Sequence, residues 1–194
     1  MFYFNARCNK EQLMEATLNE SIRSLRQLDY PLHLIRGDEF VSEGKLVRHE
    51  VLRNTHRLTV LDSLTDVDAF IDVGKHIVFL SHQWTSFTCP DAYGAQYKAM
   101  CVGLKELAKQ SGWDESLKDV FVWADFCCLP QANASIQSLA VRSLAAYAAS
   151  ATYFIIVAPN TKHADLDEVC DLDTYQQRMW TVSKYCSFFY SFLI

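Results

Sequence analysis

His76-Ile-Val-Phe-Leu-Ser81, Val120-Phe-Val-Trp-Ala-Asp125 and Tyr153-Phe-Ile-Ile-Val-Ala158 are short apolar runs, each closed by a polar residue or by a following proline. None alternates apolar with polar positions, so each reads as a strand buried on both faces rather than one with a wet side. The stretches between them have helical spacing. Ala95 to Gln110 sets Met100, Leu104 and Leu107 on one face with Gly112 just past its end, and Ser135 to Ala149 is rich in alanine and leucine. A last helix is expected over Thr174 to Phe188. Strands alternating with helices are the mark of βαβ units, and they predict an α/β fold built on an open parallel sheet.

The amino-terminal third is less regular. Leu13, Met14, Leu18, Ile22, Leu25 and Leu28 recur at spacings of three and four, which predicts an amphipathic helix that Pro31 ends. Phe40 to Val51 has β-branched residues on either side of Glu43-Gly44, which suggests a hairpin. Thr65 to Val73 reads as a short helix with Thr65 as its cap and Gly74 as its stop. Residues 1–74 carry no chemical motif and are read as an accessory region packed on an α/β domain over 75–194.

Half of the 194 residues are hydrophobic, enough for one sizeable core. The net charge is −5 and the basic residues are scattered, which argues against nucleic acid as a partner. No run of 18 apolar residues offers a membrane span. The seven cysteines are odd in number and sit partly in strand-like runs, so reduced thiols in a cytoplasmic protein are expected. No Cys-x-x-Cys or paired His spacing indicates a metal site. Ligands of an open parallel sheet bind beyond the carboxyl ends of its strands, where loops converge and helix amino termini point. The residues to examine therefore follow the three runs: Ser81 to Trp84, Asp125 to Gln131, and Pro159 to His163.

Four motifs in these places resemble the heterokaryon incompatibility (HET) domain, a family related in fold to the Toll/interleukin-receptor (TIR) domains. Ile77-Val-Phe-Leu-Ser-His-Gln-Trp84 looks like an opening strand followed by Ser-Tyr-x-Trp. Trp123-Ala-Asp-Phe-Cys-Cys-Leu-Pro-Gln131 is similar to Trp-Ile-Asp-Ala-Leu-Cys-Ile-Asn-Gln without a gap. Ala146-Tyr147 and Ala151 stand where the family has Ile-Tyr and an Ala before a strand. Arg178-Met-Trp-Thr-Val-Ser-Lys184 resembles Arg-x-Trp-Thr-Leu-Gln-Glu.

The resemblance implies a flavodoxin/TIR-like topology and a role in self-recognition, innate immunity or cell-death signalling, with self-association through the domain helices. It also implies a nucleotide crevice for NAD, as ligand or substrate, with no further cofactor required. Ser81, Trp84, Cys128, Gln131, Arg178, Trp180 and Lys184 are its binding candidates, and Asp125 and His82 its catalytic ones. In relatives that cleave NAD, a Glu four residues after a Trp steadies the oxocarbenium that forms on the ribose. Lys184 holds that position here, after Trp180, and a cation opposes such a charge. Cleavage would then be weak or absent, or would use a relocated carboxylate such as Asp125 or Asp173. The residues keep plainer readings too: Asp125 as a helix cap, His82 as a neighbour-bonded ring, Cys128 as buried packing rather than a nucleophile, and Arg178 as a surface ion pair. The apolar ending Cys186 to Ile194 either packs as a strand or exposes a patch. TIR-like sheets add one or two strands after the last helix, so a reduced domain or a fragment is expected.

Overall fold

The computed structural model describes residues 27–179 and 191–193, with residues 178–179 and 191–193 as backbone. Eight strands and eight helices follow one another through it: β1 Leu32–Arg36, α1 Gly37–Ser42, α2 His49–Asn54, β2 Leu58–Leu61, α3 Leu64–Asp72, β3 His76–His82, α4 Ala95–Ser111, β4 Val120–Trp123, α5 Asp125–Cys128, α6 Ala134–Arg142, α7 Leu144–Ser150, β5 Tyr153–Val157, β6 Thr161–Lys162, β7 Val169–Cys170, α8 Leu172–Met179 and β8 Ser191–Leu193. Six strands form one mixed sheet in the order β2-β1-β4-β3-β5-β8. Its β4, β3, β5 and β8 run parallel, while β1 pairs antiparallel with both β4 and β2.

The three apolar runs are thus β3, β4 and β5, the centre of the sheet. Every residue of β4 is buried, as are Ile77, Val78, Phe79 and Leu80 of β3, because both faces are covered. The register is pinned by an aromatic ladder. Phe79 stands opposite both Trp123 and Phe154 in neighbouring strands, with ring centroids 4.0 and 4.9 Å away. Three residues past Phe79 comes His82, and two past Trp123 comes Asp125, so the ladder fixes which strand-end side chains can meet.

Helix ends follow local chemistry. Gly112 closes α4 with a left-handed φ of 66°, as its position predicts. The cap of α3 is Ser63 rather than Thr65, because Ser63 and Asp66 form a reciprocal capping box that starts the helix two residues earlier. The long alanine-rich stretch is two helices, α6 and α7, broken at Ser143. That break has a tertiary cause: the buried Ser143 hydroxyl accepts the Asp29 and Tyr30 amides at 2.8 and 3.2 Å.

The amino-terminal third differs most from the sequence reading. The expected hairpin over Phe40 to Val51 is instead helix α1, a turn and helix α2. Asp38 and Glu39 favour a helix start, and Phe40 is buried by it, whereas β-branched content alone suggested strands. The strands of this region are β1 and β2, which flank the two helices and extend the main sheet. Gly37 is required where β1 turns into α1, since a Cβ there would lie 3.0 Å from the Leu117 carbonyl oxygen and 3.1 Å from that of Val120. The predicted helix over Glu11 to Leu28 falls almost wholly outside the described residues. Of the apolar ending, residues 191–193 form strand β8, parallel beside β5, and the rest of it, like the later part of the helix expected over Thr174 to Phe188, lies outside the described residues. Among the described residues no helix is long and apolar enough to cross a membrane.

Candidate functional site

Strand β3 has β4 on one side and β5 on the other, and its carboxyl end is where the sheet's connections diverge. His82 and Asp125 meet there. His82 Nε2 lies 3.0 Å from Asp125 Oδ1, and His82 Nδ1 lies 3.3 Å from the Gln83 carbonyl oxygen. Both ring nitrogens therefore face oxygen acceptors, an arrangement satisfied only when both carry protons. Burial opposes the imidazolium, yet the Asp125 charge and hydrogen bond, the Gln83 carbonyl and Asp91 outweigh it, and the His82 pKa is raised. Burial likewise penalises the Asp125 carboxylate, but the His82 charge and its hydrogen bond, with those from Trp84 and the Phe126 amide, hold its pKa below the usual range.

The carboxylate is fully engaged. Asp125 Oδ1 accepts from His82 and from the Phe126 amide at 2.6 Å, and Oδ2 accepts the Trp84 indole N–H at 2.7 Å. The His82 side chain is only 1% exposed, whereas Asp125 keeps 32%. His82 therefore serves as the charged partner of Asp125, and its filled ring nitrogens and burial leave no atom for acid–base work on a ligand. Trp84 is half-buried and edge-on to Phe126.

The other expected residues divide. Ser81 points to the last helix, where the buried Tyr175 hydroxyl donates to its Oγ at 2.6 Å. Gln83, beside it, donates to the Thr174 hydroxyl at 3.2 Å, so two side-chain hydrogen bonds tie the start of α8 to the end of β3. Gln131 turns inward, its amide donating to the carbonyls of Leu129 at 2.9 Å and Asp125 at 3.3 Å. Cys128 does not reach the crevice: its thiol donates to the Val122 carbonyl at 3.6 Å, and burial pushes its pKa well up, as it pushes Cys127 up to about 12. A thiolate nucleophile is not available there. Arg178 lies on the backbone of α8, and its side chain, with Trp180 and Lys184, lies outside the described residues. His163 is buried under the exposed Phe87, in a loop stapled to that after β3 by Asp165, which accepts from Ser86 and the Phe87 amide, both at 2.7 Å.

Two participants carried no sequence signal. Glu50, from the amino-terminal third, accepts the amides of Gln131 and Ala132 at 2.6 and 2.7 Å. Asp91 accepts the first-turn amides of Gln96 and Tyr97 in α4, which occupies that helix end as an anion would. Among the described residues no group of three or more His, Cys, Asp or Glu side chains could hold a metal ion. Compared with family models, curated proteins and solved structures, the chain matches none.

Proposed function

We propose that the chain is a TIR/HET-like signalling module whose strand-end crevice binds a nucleotide of the NAD type without cleaving it efficiently. The observation that carries this reading is the order of the parallel strands. Counted along the chain, β3, β4, β5 and β8 lie second, first, third, fourth across the sheet, an order that supports the flavodoxin-like reading. In that order the ligand crevice opens between the first and third strands, here β3 and β5. Ser81 and Trp84, at the end of β3, and Asp125, at the end of the adjoining β4, come from the segments that carry the HET-like motifs, and Tyr175 of α8 bonds Ser81.

Binding is favoured over cleavage by two features. Asp125 already receives three donors, so its charge is committed within the protein rather than free to steady an oxocarbenium. Lys184 stands where a cleaving relative has Glu, and a pyrophosphate needs such a cation. Arg178 and Lys184 supply that role in this reading, because the segment before α8 carries the carboxylates Asp165, Asp167, Glu168 and Asp171, and the first turn of α8 adds Asp173.

The test is calorimetric titration of NAD into the full chain, with nicotinamide release measured at high protein concentration. Expected are saturable binding that Lys184→Ala weakens, negligible release by the native chain, and release by Lys184→Glu. Absence of NAD binding refutes the nucleotide assignment, and release by the native chain that Asp125→Asn abolishes establishes the glycohydrolase alternative instead.

A further inference from the structure

We infer that Glu50 is a positioning residue for Asp125, acting from the amino-terminal third across the loop that follows β4. This rests on the reading of the β3 and β4 strand ends as the functional site. Glu50 lies in the first turn of α2, and α2 packs on α5, the short helix that Asp125 opens. One carboxylate oxygen, Oε1, accepts two successive amides, those of Gln131 at 2.6 Å and Ala132 at 2.7 Å. A carboxylate taking two backbone N–H groups makes short, charge-assisted bonds. Burial raises the Glu50 pKa, but its own backbone amide, those of Ala132 and Gln131, and the Arg48 charge together hold it low.

The clamp continues inward. With its backbone fixed by Glu50, Gln131 sends its side-chain amide back to the carbonyls of Leu129 and Asp125, and its own Oε1 takes the Gln137 amide at 3.4 Å. Loop 129–132 is thus tied at its far end to α2 and at its near end to the backbone of Asp125. The Asp125 carboxylate then has one orientation, in which it meets Trp84 and His82 together. The other oxygen of Glu50 is buried and makes no well-formed hydrogen bond; it forms an ion pair with Arg48 at 3.0 Å, whose side chain is 48% exposed, so that contact can be removed without touching the loop.

The Trp84 indole N–H, bonded to Asp125 at 2.7 Å, reports this geometry without any assumption about ligand. In spectra of uniformly nitrogen-15-labelled protein, Trp84→Phe identifies its indole signal, and Asp125→Asn must shift it. Glu50→Ala is expected to shift the same signal in the same direction and to speed its exchange with solvent about tenfold, a local opening. Glu50→Gln, which keeps an acceptor but not the charge, is expected to fall between, and Arg48→Ala to change nothing. If Glu50→Ala does not fold, Glu50→Gln is read alone and expected to speed exchange about threefold by the same opening. A folded Glu50 variant with native Trp84 shift and exchange overturns the inference while leaving the site reading intact. A signal that Asp125→Asn fails to move overturns the site geometry itself.

Discussion

Asp125→Asn tests the pair at the centre of the site. Asparagine keeps the size of the side chain but offers one oxygen where three donors arrive at two. If that oxygen takes the Oδ1 position, His82 and Phe126 keep an acceptor and the Trp84 indole faces an amide N–H, donor against donor. The charge is lost as well, which strands a buried imidazolium. Removing one partner of a fully buried pair costs about 3–5 kcal/mol; Asp125 is 32% exposed, and His82 can escape by losing its proton, so about 2–4 kcal/mol is expected. For a chain of this size that lowers the thermal midpoint by roughly 5–15 °C.

The pH dependence follows from the directions of the two shifts. The His82 pKa is raised in the folded state, so its contribution is complete below its ordinary value of 6.5 and is lost as pH climbs through the folded value. The Asp125 pKa is depressed, so its contribution is complete above 3.8 and is lost as pH falls through the folded value. The gap between native and Asp125→Asn stability, from urea denaturation across pH, should be widest from about 4 to 6.5 and shrink on either side. Carbon-bound ring protons of His82 should titrate at lower pH in the variant. Equal midpoints for the two proteins at pH 6, with an unshifted His82 titration, would refute the ion-pair reasoning.

Two further outcomes are expected. His49 is 1% exposed, neither ring nitrogen makes a well-formed hydrogen bond, and burial first, then His33, lowers its pKa to about 4. As a histidine held neutral, it costs stability as pH falls from 6.5 towards 4, about 3 kcal/mol in all. His49→Leu should flatten that acid limb in pH-dependent melts and be neutral or stabilising at pH 7; an unchanged limb counts against the assignment. Cys127 and Cys128 should resist iodoacetamide in the native protein while the partly exposed Cys89 reacts, as read by peptide mass spectrometry.

The central sheet was legible because its strands are covered on both faces, which leaves unbroken apolar runs such as Ile77 to Leu80 that few other environments demand. Helix α4 was legible to within one residue of its end because Gly112 marks a left-handed turn. Segments that are short and near-neutral in propensity were not. Phe40 to Val51 has strand-like composition, yet its fate was settled by burying Phe40 and His49 against the sheet. The break at Ser143 depends on amides of Asp29 and Tyr30, more than 110 residues away in the chain, which no local pattern reveals. The same division holds at the site. That Ser81, His82, Trp84 and Asp125 gather follows from strand ends and could be read, whereas the filling of both His82 nitrogens, the inward turn of Gln131 and the Glu50 clamp are decided by side-chain directions that sequence spacing does not carry.

The antiparallel pairing of β1 with β4 has a consequence for how the chain can be cut. Strand β4 is buried along its whole length, and β1 closes the side away from β3. A piece beginning at residue 75 would keep every strand of the parallel set but leave Val120 to Trp123 as an open edge, apolar on both faces and without a charge to discourage another strand from adding to it. Such an edge is a template for aggregation. Expression of the carboxyl-terminal part alone should therefore give insoluble protein, and the shortest well-behaved unit should begin before Leu32.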